Sequence, residues 1–186
     1  MTSIQTSRKL ASFSLAVVMS AVSVASMAQV MVGGAPMLAS KDIIDNAVNS
    51  KDHTTLVAAV KAAGLVDTLK GAGPFTVFAP TNAAFDALPA GTVDTLLKPE
   101  MKADLTKVLT YHVVAGKVDA AALSELIAAG GGTATVTTVQ GEALTAKAAG
   151  NGITLTDAKG NVANVTTADV YQSNGVIHVV DKVLMP

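Results

Sequence analysis

The sequence predicts an α+β domain, and two patterns of apolar residues carry that prediction. Up to about residue 130, apolar side chains recur at the three- and four-residue spacing of amphipathic helices. From Thr133 the spacing changes to two, and short β-branched runs are separated by turn residues. Helices followed by strands, with strand pieces near residues 75 and 111 joining the same sheet system, indicate an α+β fold.

A secretory signal is predicted at residues 1–28, ahead of this domain. Arg8 and Lys9 supply a positive start, an apolar run follows them, and Ser-Met-Ala at 26–28 is a small-x-small cleavage site. Cleavage before Gln29 predicts a secreted or periplasmic protein with no stable membrane insertion. A retained membrane helix is the disfavoured alternative, because it needs about 20 predominantly apolar residues in a row and serines interrupt this run.

Charge and cysteine content narrow the classes of partner and cofactor. Removing residues 1–28 takes away two basic and no acidic residues, which leaves a formal charge of −3. Nucleic acids and anionic membrane surfaces need a clustered basic face, so both are disfavoured as partners. The chain has no cysteine, so burial and hydrogen bonding alone must hold an exported domain together. We expect no cofactor.

The first predicted elements are a tether and two helices. Residues 29–39 contain glycines and a proline and show no sustained period, so a short tether is predicted before a domain at 40–186. Ser40 is predicted to cap the first helix. The second helix is predicted to end at Gly64, in the left-handed conformation that glycine tolerates.

The stretch GPFTVFAPTNAAF, residues 73–85, predicts a strand followed by a helix. Alternation places Phe75, Val77 and Ala79 on one face of the strand, with Thr76 and Phe78 on the other. Pro80 is expected to stop the ladder, and Thr81 to cap a helix whose Phe85 points back to the core.

Two more helices, a short strand and a last helix are predicted next. The helices cover Thr92–Leu97 and Pro99–Thr110, and Pro99 suits a first helical position. Tyr111 to Val114 predicts a short buried strand, and Asp119 is predicted to cap the last helix. The strands that follow are separated by turn signals, of which Asn174-Gly175 is the strongest.

Three segments, taken in order, resemble the fasciclin domain family. They are GPFTVFAPTNAAF at 73–85, LTYHVVAGKV at 109–118 and SNGVIHVVDKVLMP at 173–186. The resemblance implies a wedge of two packed β-sheets flanked by several helices. It also implies an exported or cell-surface module that mediates adhesion, as in the small single-domain secreted forms known in bacteria, and it implies no enzymatic activity.

The same resemblance gives candidate partner-binding residues. Asp169 and Val170 match an Asp-Ile pair that is associated with integrin-dependent adhesion in matrix fasciclin domains, and Tyr171 adjoins them. Tyr111 and His112 match the Tyr-His pair credited with adhesion in some members. A purely structural role is the alternative for each: Tyr111 and His112 as core residues, and Asp169 as a local acceptor for backbone amides.

Motifs for other chemistries are absent from the sequence. It has no HExxH-like pattern, no GxSxG elbow and no GxxxxGK[ST] loop, so no metal site and no catalytic residue is predicted. The leading interpretation is a non-enzymatic adhesion module whose partner is a surface or matrix protein or a glycan. The alternative is a receptor for a small or lipid-like ligand, in a pocket lined by Phe78, Phe85 and Leu105.

Overall fold

The structure is a computed structural model that describes residues 30–150 and 152–186. The predicted signal sequence lies outside the described residues. Within them the chain forms seven α-helices, with 3-10 turns before the second and the sixth. The helices are α1 Ile43–Ala47, α2 Thr54–Ala63, α3 Val66–Lys70, α4 Asn82–Asp86, α5 Thr92–Leu96, α6 Lys102–Tyr111 and α7 Ala120–Ala129.

The strands of the described residues form a small hairpin and a mixed sheet of seven strands, called here the main sheet. Its order is β4-β3-β9-β8-β7-β6-β5, and β3 and β9 run parallel while the other neighbours are antiparallel. The strands are β1 Met31–Val32, β2 Ala35–Pro36, β3 Phe75–Pro80, β4 Val113–Ala115, β5 Thr133–Thr137, β6 Ala143–Ala149, β7 Gly152–Thr156, β8 Val162–Gln172 and β9 Gly175–Val180.

The long strand β8 divides the main sheet into two halves. One part of β8 pairs with β7 and the other with β9, and the β8–β9 ladder is interrupted by register shifts between Val165 and Val170. Such bulges bend and twist a strand. A bridge between Val114 and Thr138 brings the two ends of the sheet together. The predicted α+β fold is confirmed.

Strand β3 separates two hydrophobic clusters, as its alternation predicts. Val77 and Ala79 belong to a cluster with the helices, and Phe75 packs at its margin. Phe78 points the other way, into a cluster with α7 and the strands β5 to β8. Thr81 accepts a hydrogen bond from the Ala84 amide (3.3 Å), which confirms it as the cap of α4.

Three predicted details between residues 29 and 80 are different in the structure. The segment predicted as a tether forms the β1–β2 hairpin, and Met37, which follows it, is buried in the core with Val32. The cap of α1 is Asp42, whose carboxylate accepts the Asp45 amide at 2.7 Å; Ser40 lies in the preceding turn. The β3 ladder also extends to Pro80, since the ring removes only a donor.

Two further boundaries differ near the predicted site residues. Tyr111 is the last residue of α6 and His112 caps it, so the strand begins only at Val113. In the last hairpin Gln172 pairs with Gly175, which makes Ser173 and Asn174 the turn residues. The tertiary hydrogen bonds of His112 and Asn174 explain both shifts.

Candidate functional site

Tyr111 is fully buried and links α6 to the start of β6 and to the turn between β7 and β8. Its hydroxyl accepts a hydrogen bond from the Ala158 amide (3.0 Å) and donates one to the Ala143 carbonyl (3.3 Å). Burial raises the pKa of this hydroxyl, so it stays protonated at neutral pH. The side chain has no surface to offer a partner.

His112 is also buried and fixes the C-terminal segment. Its Nε2 accepts a hydrogen bond from the Leu184 amide (2.9 Å), so the proton sits on Nδ1, which donates to the Val108 carbonyl (2.7 Å). Burial lowers the pKa of His112 to about 4. The ring is therefore neutral at physiological pH, and both of its nitrogens are satisfied.

Asp157 forms a buried cluster with Tyr111 and His112. The sequence analysis missed this residue. Its buried carboxylate accepts hydrogen bonds from the amides of Lys159, Asn161 and Met185, and from the Asn161 side chain, at 2.8–3.0 Å. Burial alone would raise the pKa of Asp157, but these hydrogen bonds outweigh it and lower that pKa. The signal in the sequence is DAKGN, an aspartate followed by turn residues.

Asn174 has a comparable structural role in the third segment. Its side-chain oxygen accepts the Ile43 amide (3.1 Å), and its nitrogen donates to the carbonyls of Leu69 (2.7 Å) and Gly71 (3.1 Å). Gly175 beside it has no room for a Cβ, because the Phe75 carbonyl oxygen occupies the space that a Cβ would need. The asparagine-glycine pair therefore joins β9 to β3 and to the first helices.

The predicted residues Asp169, Val170 and Tyr171 lie in different environments. Val170 is 1% exposed and packs in the helical cluster. Asp169 is half-buried, with a left-handed φ of 58°, and its carboxylate accepts the Ala120 amide of α7 at 2.7 Å. Tyr171 is 40% exposed. Of the five residues predicted to bind a partner, Tyr111, His112 and Val170 are thus inaccessible from solvent.

Tyr171 lies in a charged surface that the sequence analysis did not assemble. The Lys117 ammonium lies 4.6 Å from the centre of the Tyr171 ring, a cation–π distance. Asp119, the predicted cap, accepts the Ala122 amide at 2.9 Å and confirms that prediction. Partial burial raises the pKa of Tyr171, and the carboxylates of Asp169 and Asp119 raise it further. We call Lys117, Asp119, Asp169 and Tyr171 the Tyr171 face.

His178 lies directly beneath the Tyr171 face. It is fully buried and stacks on Phe78, with ring centres 5.6 Å apart. Its Nδ1 accepts the Asp169 amide (3.3 Å), and its Nε2 donates to the Val118 carbonyl (2.8 Å). The ring therefore holds the β8 bulge and the loop before α7 in one arrangement.

The pocket predicted for a lipid-like ligand is not formed. Phe78 lies in one hydrophobic cluster, while Phe85 and Leu105 lie in the other, across β3. The cavity that Phe85 and Leu105 line has a volume of about 10 Å³, and a second cavity in the helical cluster has about 30 Å³. These volumes hold about one or two water molecules.

Comparison with known proteins decides the family. The model of the fasciclin domain matches residues 51–186. This chain belongs to the fasciclin domain family. The match starts after α1 and includes all three of the segments on which the resemblance was recognised.

Several relatives of this fasciclin domain are bacterial. It is 51% identical to protein sll1483 of Synechocystis over 144 residues, and this alignment covers 77% of this chain and 73% of that protein. It is 40% identical over 148 residues to the immunogenic protein MPB70 of Mycobacterium bovis, covering 75% of this chain and 66% of that protein. It is 38% identical over 159 residues to the cell surface glycolipoprotein MPB83 of the same species, covering 83% and 64%.

A solved structure supports the fold. The FAS1 domain pair of the insect cell adhesion molecule fasciclin I matches with a TM-score of 0.52 and 20% identity, over 70% of this chain and 43% of that one. The fasciclin domain brings no three histidine or carboxylate side chains together as metal ligands within the described residues. None of the helices in that part of the chain is long and apolar enough to cross a membrane.

The buried histidines of this fasciclin domain predict acid sensitivity. All three histidines are buried, and burial lowers the pKa of each from the ordinary 6.5. Below about pH 6.5 the unfolded chain therefore binds more protons than the folded one, so stability falls as pH drops toward the folded pKa values. We expect a lower urea midpoint at about pH 5 than at about pH 7. Both pH values lie above the ordinary pKa of aspartate and glutamate side chains, so the comparison reports mainly the histidines. Equal midpoints would contradict the buried neutral histidines.

Proposed function

We propose that this fasciclin domain is an exported, non-enzymatic binding module that attaches cells to one another, to a matrix or to a host. The partner is a surface or matrix protein or a glycan, and it contacts the Tyr171 face. The predicted signal sequence supports export. The names of two similar proteins, a cell surface glycolipoprotein and a cell adhesion molecule, support a role at the cell surface.

The observation that carries the proposal is an exposed aromatic ring on a charged, hydrogen-bonded support. Tyr171 is 40% exposed, and Lys117 lies against its ring. Tyrosine offers a large contact area with few rotatable bonds, which is why it is enriched at binding hot spots. The nearby carboxylates of Asp119 and Asp169 give the face a charge pattern that can select a partner.

A binding measurement with purified, labelled protein tests this face. Tyr171→Ala is expected to weaken binding to the cells or matrix that the wild-type protein binds by about tenfold or more, the loss typical of an interface aromatic. Val162→Ala is the matched control, because Val162 is 41% exposed on the same strand, β8, at its other end. Equal binding by both variants would remove Tyr171 from the site.

Asp169 needs a gentler substitution than alanine. Its carboxylate holds the Ala120 amide, and its φ of 58° suits asparagine better than alanine. Asp169→Asn keeps an oxygen acceptor and removes the charge. Weaker binding by this variant at an unchanged thermal midpoint would therefore report the charge of Asp169 and not its structural contact.

A further inference from the structure

The Tyr171 face is built from two segments that a single buried histidine connects. The loop before α7 supplies Lys117 and Asp119, and β8 supplies Asp169 from its bulge and Tyr171 from the regular ladder that follows. His178 bonds to the Asp169 amide on one side and to the Val118 carbonyl on the other. The relative position of the two segments therefore depends on this ring.

The hydrogen bonds of His178 require its neutral form. A backbone amide can only donate, so Nδ1 must accept from Asp169 and cannot carry a proton. Nε2 carries the single proton and donates it to Val118. A second proton on Nδ1 would place two donors opposite each other and leave the Asp169 amide without its partner.

Protonation of His178 would act through Asp169, whose backbone amide would lose its acceptor. Asp169 is the one non-glycine residue of the described chain with a positive φ, 58°, a conformation that neighbouring contacts must hold. Its side chain also holds the first amide of α7. Release of the Asp169 amide would therefore loosen both the bulge that precedes Tyr171 in β8 and the contact with α7.

The surroundings of His178 oppose a charge on the ring without preventing it. Phe78 of β3 covers one ring face, and its own neighbours on β9, Ile177 and Val179, are apolar. The charged groups that face it are Asp169 from β8 and Asp119 from the loop before α7, with Lys117 beyond Val118. Burial lowers the pKa of His178, while its bond to Val118 and the two carboxylates act in the opposite direction. The pKa of His178 therefore lies below the ordinary histidine value of 6.5.

We propose that His178 makes the Tyr171 face an acid-released binding site, assembled at neutral pH and loosened when the ring takes up a proton. This inference rests on the proposed function, since it assigns a regulation to the same surface. The partner would be held at neutral pH and released in an acidified compartment or medium. Below the pKa of His178, affinity is expected to fall by up to about tenfold per pH unit.

Solution NMR of the full mature protein tests whether protonation of His178 loosens the Tyr171 face, and it needs no partner. The backbone amide signals of Asp169, Ala120 and Lys117 are expected to shift together, with one midpoint below about pH 6.5, while signals of distant strands such as β5 stay in place. His178→Gln, which retains a donor and an acceptor but does not titrate, is expected to abolish the shift. His112→Gln, a substitution of a different buried histidine, is expected to keep it.

Binding measured at about pH 7.5 and at a pH below the midpoint of the amide shifts completes the test. Wild type and His112→Gln are expected to lose affinity at the lower pH, and His178→Gln to bind equally at both. Absence of binding at any pH, together with the predicted amide shifts, would refute the proposed function. It would leave intact the inference that protonation of His178 loosens the Tyr171 face. Amide signals that do not move before global unfolding would overturn the inference that His178 controls the Tyr171 face, whatever the protein binds.

Discussion

Phe78→Ala is expected to lower the free energy of unfolding by about 3–5 kcal/mol, the range typical of a fully buried phenylalanine. Phe78 is 0% exposed, and its ring stacks on His178 in the cluster between the two halves of the main sheet. Truncation leaves a cavity in that cluster and removes the support beneath the Tyr171 face. Chemical denaturation monitored by far-UV circular dichroism measures the change.

Phe75→Ala is the matched control on the same strand. Phe75 is half-buried at the margin of the helical cluster, so its truncation exposes less new cavity surface. We expect a clearly smaller loss of stability than for Phe78→Ala. Similar losses for the two variants would show that β3 does not separate a tightly packed interior from a looser margin.

Asp157→Ala is expected to cost about 3 kcal/mol or more. The carboxylate is 6% exposed and accepts four hydrogen bonds, and bonds to a charged group contribute about 1.5–3 kcal/mol each before non-additivity. Its removal leaves amides of the β7–β8 turn and of Met185 without acceptors. The thermal midpoint and the denaturant midpoint should both fall.

Asp181→Ala controls for the loss of an aspartate as such. Asp181 also accepts two hydrogen bonds, both from Asn164, but these lie at the surface. Exposed bonds exchange readily with water, so we expect a loss of about 1 kcal/mol or less. A cost for Asp157→Ala no larger than this would show that the cluster of Tyr111, His112 and Asp157 does not hold the C-terminal segment.

Local physics made most of the fold predictable from the sequence. The caps at Thr81 and Asp119 follow from side-chain oxygens placed before helical runs, and Gly64 has the left-handed φ of 74° expected at a helix end. The two faces of β3 follow from its period of two. The misplaced cap at Ser40 was a choice between two good capping residues close together, which only the tertiary structure resolves.

The candidate site was less predictable, because it depends on contacts between distant parts of the chain. Nothing near Lys117 in the sequence shows that its ammonium lies on the Tyr171 ring. The burial of Val170 follows from the register of β8 after a bulge, which alternation alone does not locate. The sequence around His112 predicts a strand residue. Its position at the end of α6 depends on the hydrogen bond from the distant Leu184 amide.

The central claim, that the three recognised segments build the fold while the Tyr171 face binds the partner, is tested most directly by attachment of cells that lack the gene. These cells are complemented with wild type, Tyr171→Ala or Val162→Ala, and export levels and thermal midpoints are compared in parallel. We predict that deletion reduces attachment, that wild type and Val162→Ala restore it, and that Tyr171→Ala does not although it is folded and exported. Attachment unchanged by deletion, or restored equally by Tyr171→Ala, would contradict the account.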